Sequence, residues 1–180
     1  MKTEGGVIML RAIEPADIDL LYKWENDPTI WKVSNTIAPF SKYILQKYIE
    51  NSHLDIYQTR QLRLMVDLAD KTNNHKKTVG AIDIFDFDPF HLRAGIGILI
   101  GGRQDRNQGI ATEALRELIR YAFDILGLHQ LFCNITIDNT ASLHLFEKVG
   151  FTITGTKKDW IKSHQGYIDE LILQFINSDN

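Results

Sequence analysis

The apolar positions of the chain change their period from stretch to stretch, and each change predicts an element. Ala94-Gly-Ile-Gly-Ile-Leu-Ile100 is an unbroken run of apolar residues and glycines, too short for an ordinary helix, and predicts a buried strand. Ala111, Ala114, Leu115, Leu118, Ile119, Ala122, Phe123 and Leu126 then recur at steps of three and four, which predicts a helix with one broad apolar stripe facing a core. Between the two lies Arg103-Gln-Asp-Arg-Asn-Gln-Gly-Ile-Ala111. The rest of the chain is organised around this polar turn.

Upstream, Val7 to Arg11 predicts a first strand, and Glu14-Pro15 a helix start, proline being well tolerated where its missing N–H would be unpaired anyway. Ile18, Leu21 and Tyr22 form that helix's inward face until Asn26-Asp27-Pro28 stops it. Thr29 to Phe40, with Trp31, reads as an irregular aromatic loop packed on the core. Ser41 can cap a helix running to about Ser52. Leu62 to Leu68 and Thr78 to Phe85 read as a hairpin around the polar loop Asp70 to Lys77, whose charges are simplest as a solvated tip. A turn from Asp86 to Phe90 leads into a third strand, Arg93 to Ile100. Past the long helix, Gly127 supplies its stop, Gln130 to Ile137 a strand joined by a βαβ-like crossover, and Asn139 the cap of a short helix ending near Val149. Ile153 to Lys157 and Gly166 to Phe175 close the sheet as a hairpin.

Length and charge narrow the classes. A chain of 180 residues is most simply one domain, here 7–175, burying roughly 70% of its unfolded surface. A net charge of −3 leaves no basic footprint for nucleic acid and suits cationic or neutral partners better than anionic ones. The single cysteine, Cys133, excludes an intramolecular disulfide and reads as core packing. With no signal-like apolar run at the N-terminus, the expected setting is a reducing cytoplasm. No apolar stretch approaches the ~20 residues of a membrane span, and the six histidines show no metal-ligand spacing, so neither membrane nor metal is expected. His91 and His144 are assigned no role.

A strand–turn–helix of this kind points unpaired helix amides outward, where they can hold a phosphate without a lysine. Gly109 keeps side-chain bulk off that backbone. The P-loop is excluded because no Gly-Lys-Ser/Thr follows, and the dinucleotide fingerprint because its glycine triplet is missing.

Arg106-Asn107-Gln108-Gly109-Ile110-Ala111 resembles the Arg/Gln-x-x-Gly-x-Gly/Ala signature of the GNAT superfamily of N-acetyltransferases, whose turn cradles the pyrophosphate of acetyl-CoA. Asp138-Asn139-Thr-Ala-Ser142, followed by Lys148-Val-Gly150-Phe151, resembles that superfamily's second signature. The resemblance runs from Ile8 to about Phe175. It implies an α/β (α+β) fold with a mixed, mostly antiparallel sheet, splayed at the acetyl-CoA site and carrying helices on both faces. It also implies that the pantetheine arm lies along Ile98, Leu99 and Ile100, where a backbone N–H can face the developing oxyanion, with Asn139 contacting the arm. Capping is an equal and compatible role for Asn139.

The resemblance has two gaps. The strand position where many relatives carry a glutamate base matches Gly95, and the position of a tyrosine acid matches Phe146, which can only pack. Asp83, with Asp86 just beyond it, is the nearest substitute: it could bind a cationic amine or take its proton through water, or could face solvent without a role. Trp31 falls in the segment that covers the acceptor pocket in relatives. Glu25 and Asp27 could help hold a cationic chain, though caps or a solvated face account for them more simply. Ile82-Asp83-Ile84 and His91-Leu-Arg93-Ala94 look similar to spermidine/diamine N-acetyltransferases, with a ribosomal-protein alanine acetyltransferase layout also open. The expected reaction is direct transfer from acetyl-CoA to a primary amine of a small-molecule acceptor, polyamines first. The gaps leave a non-catalytic CoA-binding module as the competing class, and a homo-oligomer is open.

Overall fold

The computed structural model describes residues 7–34, 36–69, 76–164 and 166–178. β1 (Val7–Ala12), β2 (Leu62–Ala69), β3 (Lys76–Asp88), β4 (Arg93–Ile100), β5 (Gln130–Thr136), β6 (Thr152–Ser163) and β7 (Gly166–Ile176) form one sheet in the order β1-β2-β3-β4-β5-β7-β6. Every neighbouring pair is antiparallel except β4 and β5. Their parallel pairing needs a crossover, which α5 (Ile110–Arg120) supplies.

Side chains alternate across each strand, so the sheet has two faces with two cores. On one, Ile82, Ile84, Ile96, Leu131 and Leu173 pack beneath α5, whose predicted stripe is fully buried at Ala114, Leu115 and Leu118. The helix runs on into a π segment, Tyr121–Ile125. α6 (Thr140–Lys148) adds Phe146 to this core. On the other face, Met65, Ala81 and Leu99 pack against α1 (Ile18–Glu25), α2 (Pro28–Ser34) and α3 (Lys42–Glu50) through Leu21, Trp24, Ile30, Leu45 and Ile49. No helix among the described residues is long and apolar enough to cross a membrane.

Five local differences from the expected elements follow. The segment after Pro28 is not wholly irregular: Asp27 Oδ1 accepts from the Thr29 amide at 2.8 Å and Pro28 opens α2. The Asp-Pro that stops one helix therefore starts the next. α4 (Ile56–Thr59), capped by Asp55, was not expected. β3 runs past Phe85 through Asp88, so Asp86 lies within the strand, at a break in its register and with φ 48°, and the turn occupies residues 89–92. β6 continues well beyond Lys157. Of the loop expected from Asp70 to Lys77, residues 70–75 fall outside the described set, whereas Lys77 is in β3 and its ammonium holds both oxygens of Asp105, at 2.7 and 2.8 Å. That lysine is a tie, not part of a solvated tip.

Candidate active site

The site begins where two strands part. β3 and β4 pair continuously from Gly80↔Ile100 to Phe85↔Gly95, while β4 and β5 share only Arg93↔Gln130, Ala94↔Leu131 and Gly95↔Phe132. Beyond Gly95 no strand among the described residues pairs with the β5-facing edge of β4, and the backbone groups of that edge are open to a ligand. The cleft so formed holds about 110 Å³ between Ile96 to Ile98 of β4 and Cys133 to Thr136 of β5, with Asn139 and Phe146 on one side and Glu170 on another. A larger groove of about 480 Å³ shares Ile98, Asn139 and Ser142 with it and runs along Leu99 and Ile100 to the start of α5.

That helix start fits a phosphate. Gly109 occupies the cap position at φ 77°, no side chain caps the helix, and the Glu113 amide is the donor to Gly109 O, at 3.1 Å. The amides of Ile110, Ala111 and Thr112 therefore precede the first helical hydrogen bond. A Cβ on Gly109 would meet nothing within 4 Å, so the space in front of these amides is groove. The loop is held from behind: Arg106 Nε donates to Ile100 O at 3.1 Å, and Lys77 fixes the buried Asp105.

Of the expected cofactor residues, Ile98, Leu99, Ile100, Arg106, Asn107, Gly109, Ile110, Ala111, Asn139 and Ser142 all line the groove. Gln108 does not; its amide folds back onto Gln104 O. Asn139 has both of its expected placements, accepting from the Ser142 amide at 3.3 Å and lining both cavities. Trp31 lines neither, and its indole N–H is spent on Glu25 O; Thr29 and Ile30 of the same helix reach the groove instead. Asp86 is exposed at the register break.

The face opposite α5 and α6 carries the acids. Register places Asp83 beside Gly97, Phe85 beside Gly95, Asn134 beside Ile172 and Thr136 beside Glu170, all on that face. Asp83 is held by Arg63 through Nε at 2.6 Å and Nη2 at 3.0 Å, and the same guanidinium donates to Glu25 at 2.6 Å over the ring of Tyr48. Burial opposes the charge on Arg63, but Asp83 and Glu25 more than offset it, so the guanidinium is held well above its ordinary range. Two carboxylates on one cation leave a net negative cluster. Glu25, which sequence reasoning took for a cap or a solvated side chain, belongs to it.

The two family gaps have visible causes. A Cβ on Gly95 would sit 2.3 Å from the Phe85 ring, so this phenylalanine fills the space into which a glutamate would extend. Phe146 is buried edge-on to Phe151, with ring centroids 5.1 Å apart. Cys133 lines the cleft, but burial pushes its thiol up to about 12, which removes it as a nucleophile near neutral pH. Glu170 was missed. Its signal was an acid pair, Asp169-Glu170, inside the strand expected from Gly166 to Phe175 and directly before its apolar run Leu171-Ile-Leu.

Known proteins resemble this chain in sequence and in fold. The family model described as "Acetyltransferase (GNAT) domain" matches residues 8–152. The spermidine N(1)-acetyltransferase of Vibrio cholerae is 24% identical over 148 residues, covering 82% of this chain and 80% of that protein. A crystal structure of spermidine N-acetyltransferase from Vibrio cholerae in complex with CoA and spermine superposes with a TM-score of 0.83 at 22% identity, over 95% of this chain and 96% of that one. A dodecameric structure of the Vibrio cholerae enzyme gives 0.75 at 23% identity, over 96% and 95%. At such identities the structural likeness is one of fold, while the family match spans most of the chain and both signatures are built into one groove. The chain therefore belongs to the GNAT acetyltransferases, and is an N-acetyltransferase that draws its acetyl group from acetyl-CoA.

Proposed function

We propose that this enzyme transfers acetyl directly from acetyl-CoA to the primary amine of a small cationic acceptor, with polyamines the favoured class. The observation that carries this reading is the division of the cleft: a glycine-opened helix start lies on one side of the parted strands, and an acid-bearing face on the other. Ile110, Ala111 and Thr112 amides hold the pyrophosphate with Arg106 and Asn107 at its rim, Ile98 to Ile100 guide the pantetheine arm, and Asn139 and Ser142 flank it. The net negative Arg63 cluster draws the amine, with Asp83 its member nearest the cleft and Asp86 and Trp31 farther along the acceptor approach. The names of the spermidine-acetylating relatives support the same acceptor class.

In the transfer, the amine lone pair forms the C–N bond, the C–S bond breaks, and the CoA thiolate departs. A thiolate is a fair leaving group without an acid, which makes Phe146 tolerable. The amine must arrive neutral, which costs a lysine-like group roughly 4–5 kcal/mol at pH 7, and its proton leaves through water along the carboxylate-bearing face. Turnover then rises from pH 7 to 9. The buried Cys133 accords with a reducing cytoplasm, and assembly into an oligomer follows the dodecameric relative.

The test is thiol release from acetyl-CoA across spermidine, spermine, short diamines, amino acids and N-terminal peptides. Release with polyamines and diamines is expected; release with peptides alone overturns the acceptor and favours a ribosomal-protein-like branch. Gly109→Val, tested by calorimetry, is expected to weaken CoA at least about tenfold by crowding the amides and straining the φ of 77°. Unchanged affinity would remove the pyrophosphate assignment.

A further inference from the structure

Across the cleft from Asp83 stands a second carboxylate. Glu170 is 5% exposed and lines the 110 Å³ cavity. Its Oε2 accepts from Lys157 Nζ at 2.9 Å, while among the described residues Oε1 has no hydrogen-bond partner. Lys157 itself does not line the cavity. From β6 it reaches across β7 to donate to Asn134 Oδ1, at 3.1 Å, and it lies over the Trp160 ring, 5.0 Å from its centroid. The pair is thus arranged with its anion toward the cleft and its cation behind. Thr136, the register partner of Glu170, is on the stretch of β5 that has parted from β4, and it lines the same cavity.

A carboxylate this buried is costly unless it is paired and hydrogen-bonded. A merely structural pair would direct both oxygens into protein. We propose that Glu170 is the acceptor-anchoring residue of the active site: Oε1 receives an N–H of the reacting amine at the acceptor-side wall of the cleft, and Lys157 limits how strongly the carboxylate holds it. This rests on the amine-acetyltransferase reading above. The occupant is a primary amine, and Glu170 orients it between β4 and β5 toward the thioester side. Glu170 on the cleft wall and Asp83, one strand beyond the opposite wall beside Gly97, then recognise two different parts of one cationic acceptor.

The variants separate this role from a structural one by the sign of their effects. Glu170→Gln keeps the shape and loses the charge; the amine KM is expected to rise about tenfold, the loss of one charge-assisted hydrogen bond, with CoA affinity unchanged in calorimetry. Lys157→Gln removes the competing cation and is expected to lower the amine KM. Glu170→Asp recovers part of the loss. A structural pair predicts instead that the Gln variants at both positions lose stability and activity together, and that result, or an unchanged KM in folded Glu170→Gln, overturns the proposal. Should Glu170→Gln fail to fold, the sign of the Lys157→Gln effect decides. Parent enzyme that releases no thiol with any amine overturns the acceptor reading and this inference with it; active parent enzyme with an indifferent Glu170→Gln overturns the inference alone.

Discussion

Two arginines on neighbouring strands each hold two carboxylates, and the fold uses them differently. Arg11 on β1 grips Asp17 with Nη1 at 2.7 Å and Nη2 at 2.8 Å, and Asp67 with Nε at 2.9 Å. Thr78 bridges Arg11 and Asp67, and the Glu14 amide donates to Asp17. The Asp17 and Asp67 side chains are 6% and 9% exposed. Arg63 on β2 holds Asp83 and Glu25, whose side chains are 28% and 16% exposed, and an aromatic face replaces the extra donors. The Arg11 cluster has its carboxylates saturated at the outer edge of the sheet and ties β1, β2, β3 and the turn before α1 together. The Arg63 cluster is wetter, has fewer partners and lies one strand from the cleft. The same charge stoichiometry makes a structural latch where it is closed off and, under the proposed function, an electrostatic wall where it is left partly open to an incoming cation.

Arg11→Met tests the latch hardest: two buried carboxylates lose their cation, and the expected loss is about 3–5 kcal/mol in urea unfolding, with the amine KM of the folded fraction unaltered. A loss no larger than that of Arg63→Met would erase the distinction. Asp17→Asn is expected to cost about 2 kcal/mol at pH 7. Burial opposes the charge on Asp17, but the Arg11 and Glu14 hydrogen bonds outweigh it and hold its carboxyl below the ordinary 3.8. Its contribution is therefore full above that value and lost as pH falls through the still lower folded pKa. Parent and variant stabilities should converge below about pH 3.8; a constant gap would place the effect elsewhere.

Arg63→Met is expected to cost about 2 kcal/mol, since its carboxylates are partly solvated, and to lower the amine KM by leaving two uncompensated negative charges. A higher KM would mean that the arginine itself positions the acceptor. The smallest stability effect belongs to Asp83→Asn, under about 1 kcal/mol because the partner retains Glu25, with a several-fold rise in amine KM between pH 7 and 9. Identical kinetics in parent and variant would take Asp83 out of the site.

Much of this was legible beforehand because it is local. The three-and-four stripe from Ala111 to Ala122, the apolar run of β4 and the Asn139 cap each depend on neighbours a few residues away, where periodicity and capping act. The same holds for the open helix start at Gly109, which needs only a residue that tolerates positive φ. Local signals also misled. Asp27-Pro28 marked a boundary correctly but not the helix beyond it, and Asp86 looked like a turn because a register break inside a strand carries turn-like residues.

By itself, then, the sequence determined the order of the elements, the apolar faces, the phosphate-ready turn and the absence of a glutamate at Gly95 and a tyrosine at Phe146. Only the tertiary structure decided that β4 and β5 part after Gly95, that Phe85 fills the space a glutamate would use, and that Glu25 and Asp83 share Arg63 across 38 and 20 residues. It alone set Glu170 on the cleft wall with Lys157 behind it. The reason is physical: a charge takes its role from the partners and solvent that surround it, and those partners come from strands and helices far away in the chain.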